Sequence, residues 1–265
     1  DGGQVVADYL TANGRPPGTT IDYLVVTHAH ADHYGGAQRI FELYDVVNVV
    51  DPGFDNDASS LYWDFLYRAE DEVDALGGHL YRPLVGDLVA SEYSPVQQWG
   101  EELNAIILNS ESDIRLGEGL NDQVNNTSIV LHLTYGGTSI LLMGDAQEEV
   151  EADLIDEMPG LRANILKVGH HGSQNASSAA FLEMIFSGVL ETRRVAVVQA
   201  GRKEFNGVQL PNLEAWARLQ EHVPADALFS TEHNDNGLEE SEAANGDHVI
   251  MVVDSEGSIT ACYFE

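Results

Sequence analysis

The chain has 265 residues, with 44 acidic side chains against 12 basic ones, for a formal charge of −32. At 43% hydrophobic residues, with runs such as Ile106-Ile107-Leu108, it has the material of a buried core, which excludes a disordered chain. No apolar run approaches the roughly 18 residues of a membrane span, there is no basic stripe to neutralise phosphates, and the single Cys262 excludes a disulfide within the chain and a thiolate-built metal site.

Asp1-Gly2-Gly3 reads as the end of a strand-turn unit with no initiator Met and no signal peptide before it. The chain is therefore expected to be a single domain over 1–265, cut from a longer protein and lacking its N-terminal strands, with its cellular address open. Strands are predicted over Ile21–Thr27, Val46–Val50 and Ala105–Leu108, from their β-branched and aliphatic runs. Ser128–Leu133 and Thr138–Met143 flank Tyr135-Gly136-Gly137, whose glycines supply the positive φ of a tight hairpin. Later strands are expected at Ile165–Val168, Val195–Gln199 and Ala227–Phe229. A closing hairpin joins Val249–Asp254 to Ser258–Tyr263.

Helices alternate with these strands. Apolar residues at 3–4 spacing mark Gly36–Tyr44, Ser60–Leu76, Gln147–Met158, Ser178–Phe186 and Leu213–His222. Asn212, after Pro211, is the expected N-cap of the last. Strands and helices mixed along the whole length indicate a layered α/β protein with a mixed sheet. Acidic clusters at Glu70–Asp74, Glu148–Glu157 and Glu239–Glu242 read as solvated faces on or beside helices. With only two lysines, Lys167 and Lys203, the composition reads as adapted to high salt, where screening shortens to about 3 Å and surface repulsion disappears.

Three strand ends carry the chemistry. The first is Thr27-His28-Ala29-His30-Ala31-Asp32-His33-Tyr34-Gly35-Gly36. Residues i and i+2 of an extended chain point the same way, so His28 and His30 can converge, and a following turn lets Asp32 and His33 approach from another side. Imidazoles and a carboxylate are ligands for zinc or manganese. The second is Gly144-Asp145-Ala146, where Asp145 is either a helix N-cap or a metal ligand. The third is Lys167-Val168-Gly169-His170-His171-Gly172-Ser173. Adjacent side chains of an extended backbone face opposite ways, so one of His170 and His171 is expected to ligate and the other to serve substrate.

In this order the three motifs resemble the metallo-β-lactamase fold superfamily, whose signature His28-x-His30-x-Asp32-His33 reproduces in full. Asp1-Gly2-Gly3, Asn125-Asn126-Thr127-Ser128, Tyr135-Gly136-Gly137, Gly144-Asp145-Ala146 and the His170-His171-Gly172-Ser173 segment resemble the hydrolase domain of ComEC-type DNA-uptake proteins, over residues 1 to about 180 and more weakly beyond. The resemblance implies an αββα sandwich of two mixed β-sheets flanked by helices, with a site for two divalent metal ions, Zn or Mn. By it, His28, His30 and a residue near Asn126 hold one ion, Asp32, His33 and His170 hold the other, and Asp145 bridges. His30 and His33 are interchangeable in that scheme.

The sequence departs from the superfamily pattern in two places. The Thr-Pro-Gly-His loop of lactamases and glyoxalases is missing. His79 and His132 are the only histidines in that interval, and His132 alternates with Leu131 and Leu133 as a strand-face residue. Near Asn206-Gly207-Val208-Gln209-Leu210-Pro211, Pro211 is kept but the histidine that ComEC-like chains carry is not.

The activity this implies is hydrolysis by a metal-activated water, with Asp32 taking a proton from the nucleophile and His171 giving one to the leaving group. Asn126 and Ser173 are expected to bind substrate. A phosphodiesterase or nuclease is favoured, with single-stranded DNA among its candidate substrates and no membrane segment in this chain. The alternatives are a hydrolase of a β-lactam, lactone or other small ester, and a non-catalytic binding domain. Within a ComEC-like membrane protein the domain would be extracytoplasmic.

Overall fold

A computed structural model describes residues 2–54, 59–83, 96–99, 102–110, 116–200, 207–231 and 248–264. The acidic cluster Glu239–Glu242 and Asn206 lie outside the described residues. By its internal contacts the chain forms two compact units, residues 1–95 with 109–129, and residues 96–108 with 130–265.

The first unit opens with helix α1 (Gly2–Ala12), not with the end of a strand. Its glycines serve a close helix contact rather than a turn: a Cβ on Gly3 would overlap the Gly36 carbonyl oxygen, so only glycine lets α1 approach that backbone. Strand β1 (Thr20–Val25), helices α2 (Ala31–Tyr34) and α3 (Ala37–Leu43), strand β2 (Asp45–Val50), helix α4 (Ser60–Leu76) and strand β3 (His79–Tyr81) follow. The three strands form a parallel sheet in the order β1-β2-β3, with helices in the crossovers as parallel pairing requires. Helix α4 buries Tyr62, Phe65, Leu66, Ala69 and Val73, one stripe at helical spacing. They join Ile40, Val46 and Val49 in the core. Ser59 caps α4 by accepting from Tyr62 N–H, and Gly77, at φ 72°, ends it in the left-handed conformation that favours glycine. Helix α5 (Leu120–Asn126) closes the unit.

The second unit is built on a seven-stranded mixed sheet in the order β10-β9-β8-β7-β6-β5-β4. Its members are β4 (Val96–Gln98), β5 (Asn104–Asn109, the last residue counted with the first unit), β6 (Val130–Tyr135), β7 (Thr138–Leu142), β8 (Ile165–Lys167), β9 (Val195–Val198) and β10 (Leu228–Ser230). The β6–β7 hairpin turns at Gly136 and Gly137, both at positive φ (54° and 76°), as the Gly-Gly pair requires. From β7 to β10 the strands are parallel. All four residues of β9 are buried, the uniform apolar run of a strand covered on both faces. Helices α6 (Glu148–Glu157), α7 (Ala179–Phe186) and α8 (Leu213–His222) connect them. Asn212 caps α8, its side chain accepting from Glu214 and Ala215 N–H.

A two-stranded hairpin, β11 (His248–Val253) with β12 (Ile259–Phe264), packs Met251, Val253, Ala261 and Tyr263 against Ile165, Val195, Val197 and Phe229. Its turn is tied down at Gly257, whose carbonyl accepts from Thr138 Oγ1 at 2.8 Å and from the Arg193 guanidinium at 2.8 Å.

Candidate metal centre

In the first unit, backbone pairing continues beyond β1. Val26 N–H donates to the Val50 carbonyl, and Ile129 N–H donates to that of Thr27. Extended backbone therefore runs up to the histidine segment, and His28 and His30 come out on the same side, their Nε2 and Nδ1 atoms 3.1 Å apart. His30 is the N-cap residue of α2, at φ −95° and ψ 143°. One helical turn then carries Asp32 and His33 in a different direction. The His33 ring returns to 4.0 Å from that of His28, centroid to centroid. His28 is fully buried, His30 and His33 are half-buried, and Asp32 is exposed.

Hydroxyl groups line the back of this cluster. Thr27 Oγ1 lies 3.1 Å from His28 Nδ1 and 3.3 Å from His33 Nδ1. Ser128 Oγ lies 3.3 Å from His28 Nδ1. Ser128 is itself held in a buried segment, where Asn109 Nδ2 donates to the carbonyls of Asn126 and Ser128 at 3.0 and 2.7 Å. Asn126 is buried with its Nδ2 donating to the Leu116 carbonyl at 3.2 Å. Ser128, two residues beyond Asn126, is thus one polar partner of His28.

In the second unit the C-terminal ends of three adjacent parallel strands supply the groups, the end at which open α/β sheets hold their ligands. Asp145 follows β7, His170 and His171 follow β8, and Gln199 follows β9. The premise of extended backbone fails at the histidine pair: His170 and His171 have φ of 42° and 53°, both left-handed. The turn aims His171 at the buried Asp145 carboxylate, Nε2 to Oδ2 3.1 Å, while its Nδ1 sits 2.7 Å from the Gln199 carbonyl. A ring nitrogen on a backbone carbonyl is the arrangement that fixes the tautomer of a ligating histidine. His170 turns to Asn175 Oδ1, 3.0 Å from its Nδ1, with Gln147 Nε2 at 3.4 Å. Ser173 N–H donates to the His170 carbonyl at 2.8 Å. The structure therefore brings His171 to Asp145. Lys167 Nζ donates to the Gly144 carbonyl at 2.9 Å and lies 4.0 Å from Asp145 Oδ1. Burial pulls the His171 imidazolium down, but hydrogen bonding and charge from Asp145 outweigh it, and the net displacement is upward.

The donor chemistry suits a divalent ion. Ligand atoms held about 2.0–2.1 Å from zinc at tetrahedral angles stand roughly 3.3 Å from each other. The His28–His30 and His171–Asp145 separations, both 3.1 Å, are close to that value. Candidate metal-binding histidines and aspartates are present in both units.

The model of the metallo-beta-lactamase superfamily matches residues 12–189. The chain belongs to the metallo-beta-lactamase superfamily. Among curated proteins, ComE operon protein 3 of Bacillus subtilis is 28% identical over 221 residues, covering 83% of this chain and 24% of that protein. Recombination protein 2 of Haemophilus influenzae is 24% identical over 208 residues, covering 78% and 21%. Competence protein ComA of Neisseria gonorrhoeae is 36% identical over 73 residues, covering 27% and 11%. The chain thus spans at most about a quarter of the length of these relatives. Metallo-beta-lactamase proteins are mostly hydrolytic and normally bind divalent metal, and the α/β class expected from sequence is the one found. Among the described residues no helix is long and apolar enough to cross a membrane.

Residues that sequence reasoning passed over sit one layer behind the histidines: Thr27, Ser128, Gln147, Asn175 and Gln199. Thr27 and Ser128 stand inside sequence motifs but carry no ligand chemistry of their own. Gln147 and Asn175 carry no signal beyond polarity at buried and half-buried positions, and Gln199 acts through its backbone.

Proposed function

We propose that the chain is a metal-dependent phosphodiesterase of ComEC-like type that works in concentrated salt. The observation that carries the metal reading is the 3.1 Å approach of the His28 and His30 ring nitrogens inside a complete His-x-His-x-Asp-His element. The phosphodiester reading is supported by the relatives, two of which are named for competence or recombination, processes that handle DNA.

The ligands proposed for two divalent ions, zinc or manganese, are His28, His30, Asp32 and His33 in one unit and Asp145 and His171 in the other. His171 is the proposed ligand, where the resemblance implies His170, because its Nε2 faces Asp145. His170, held by Asn175 and Gln147, orients the loop or the substrate. When bound, divalent ions supply an activated water and neutralise charge that develops on substrate oxygens.

The chain's own groups do the rest. Thr27 and Ser128 set the orientation of His28. The Gln199 carbonyl fixes the His171 tautomer by accepting its Nδ1–H, leaving Nε2 as the donor atom. The exposed Asp32 carboxylate accepts a proton from the attacking water. Asn126 and Ser173 are the proposed substrate contacts. The favoured substrate is single-stranded DNA or a small phosphodiester.

A substrate panel tests the reading. The purified chain is assayed on single-stranded DNA, bis-p-nitrophenyl phosphate and nitrocefin, with zinc and with manganese. Cleavage of the two phosphodiesters, lost in Asp145→Asn, is expected. Turnover of nitrocefin without turnover of either phosphodiester would overturn it.

A further inference from the structure

Among the described residues the chain has three non-glycine positions at positive φ, and all lie within one eight-residue segment: His170 (42°), His171 (53°) and Ser177 (58°). Left-handed backbone costs a residue with a Cβ of order 1 kcal/mol and persists only where surrounding contacts dictate it. The segment that carries His171 is therefore held against its local preference, and the holding groups can be identified.

Two charged side chains grip it from different helices. Glu151, on α6, is 1% exposed, and its two carboxylate oxygens accept the backbone N–H groups of Ser177 and Ser178, the latter at 2.8 Å. Arg218, on α8, donates from Nε to the Ser177 carbonyl and from a terminal nitrogen to the carbonyls of Gln174 and Ala176, each at 2.9 Å. Five backbone groups between residues 174 and 178 thus bond to a single carboxylate and a single guanidinium. The same segment carries Asn175, whose side chain bonds His170 and whose carbonyl accepts from Glu148 N–H at 2.9 Å, at the start of α6. Burial pushes the Glu151 carboxyl up, opposed by the N–H groups of Ser178 and Ser177 and by the charge of Arg218. Unpaired, the buried Glu151 charge would not be tolerated there. Neither residue touches Asp145, His170 or His171 in any described hydrogen bond, so neither is a ligand.

We propose that Glu151 and Arg218 are positioning residues: together they clamp the strained 170–178 loop in the conformation that keeps His171 Nε2 on Asp145, and so set the affinity for metal at these two residues. The proposal rests on the reading of His171 as a ligand, and it assigns affinity to residues one packing layer away from the ligands. It predicts that loosening the clamp weakens metal binding while the sheet stays folded. It also predicts that relieving backbone strain at Ser177 offsets the loss, because glycine occupies positive φ without the Cβ penalty.

The test is a zinc titration of the full chain against a chromophoric chelator, with circular dichroism and thermal unfolding of each variant. Expected are zinc affinities about tenfold weaker for Glu151→Gln and for Arg218→Lys, the usual range for groups supporting a ligand, with unchanged circular dichroism. Ser177→Gly added to Glu151→Gln should recover part of the loss. If Glu151→Gln does not fold, Arg218→Lys with and without Ser177→Gly carries the same comparison. His171→Ala separates the two levels of the argument. Weak zinc binding in His171→Ala, with parental affinity in both clamp variants, would overturn the clamp and leave the ligand reading standing. Parental affinity in His171→Ala would overturn the ligand reading and the clamp with it.

Discussion

Asp51, at the end of β2, is fully buried, its carboxylate accepting from Tyr62 Oη at 2.6 Å and from Gly53 N–H at 2.8 Å. Burial dominates and pushes its carboxyl up to about 6, against an ordinary value of 3.8, with the Tyr62 and Gly53 bonds pulling the other way. A carboxyl raised in the folded state favours folding most when protonated, so its contribution to stability is full below about pH 4 and is lost as pH rises through 6. A displacement of that size corresponds to about 3 kcal/mol at most. The difference in urea-unfolding free energy between the parent and Asp51→Asn should therefore shift against the parent between pH 4 and 6, and level off above. A difference constant over that range would refute it. The candidate site at this scale was partly legible. Three histidines and an aspartate within six residues announce themselves in any backbone that is extended and then turns. The alternation rule leaves open which of His170 and His171 ligates, and it presumes extended backbone where both residues are left-handed. Ser128 and Gln199 could not be found, since a hydroxyl and a backbone carbonyl become partners of a histidine only once distant strands are adjacent.

At the scale of elements, capping chemistry was readable. Pro211-Asn212 announced α8, and Asn212 Oδ1 accepts from two N–H groups of its first turn, at 2.9 and 3.4 Å. Asn212→Ala should cost about 1 kcal/mol of unfolding free energy, with its metal affinity unchanged. A loss below about 0.3 kcal/mol would show that the cap is redundant, as it is for weak or solvent-replaced caps. The long helix α4 was equally plain, because its stripe of Tyr62, Phe65, Leu66, Ala69 and Val73 repeats at 3.6 residues. Helices α1 and α5 were not. In α1 the apolar Val5 and Val6 are exposed while Gly3 and Ala7 are buried, so hydrophobicity does not trace the inner face. In α5, LNDQVNN is crowded with poor helix formers and holds its place through burial of Val124, Asn125 and Asn126. Tertiary contact decides both.

Across the whole molecule the charge and the site pull in different directions. A formal charge of −32 repels nucleic acid at long range in dilute salt, yet the strand ends of both units concentrate histidine and aspartate suited to cations. Screening in concentrated salt removes the long-range repulsion and leaves the short-range ligand chemistry in place. The central claim, that hydrolysis depends on divalent metal held by these strand ends, is tested most directly by one measurement. The rate of bis-p-nitrophenyl phosphate hydrolysis is followed after exhaustive chelation and after zinc or manganese is restored, at low KCl and at about 2 M KCl. The account predicts that chelation abolishes the rate and that metal restores it. The restored rate should be higher in concentrated KCl, and Asp145→Asn should stay at least about 10-fold below the parent. A chelated protein that keeps its full rate would contradict it.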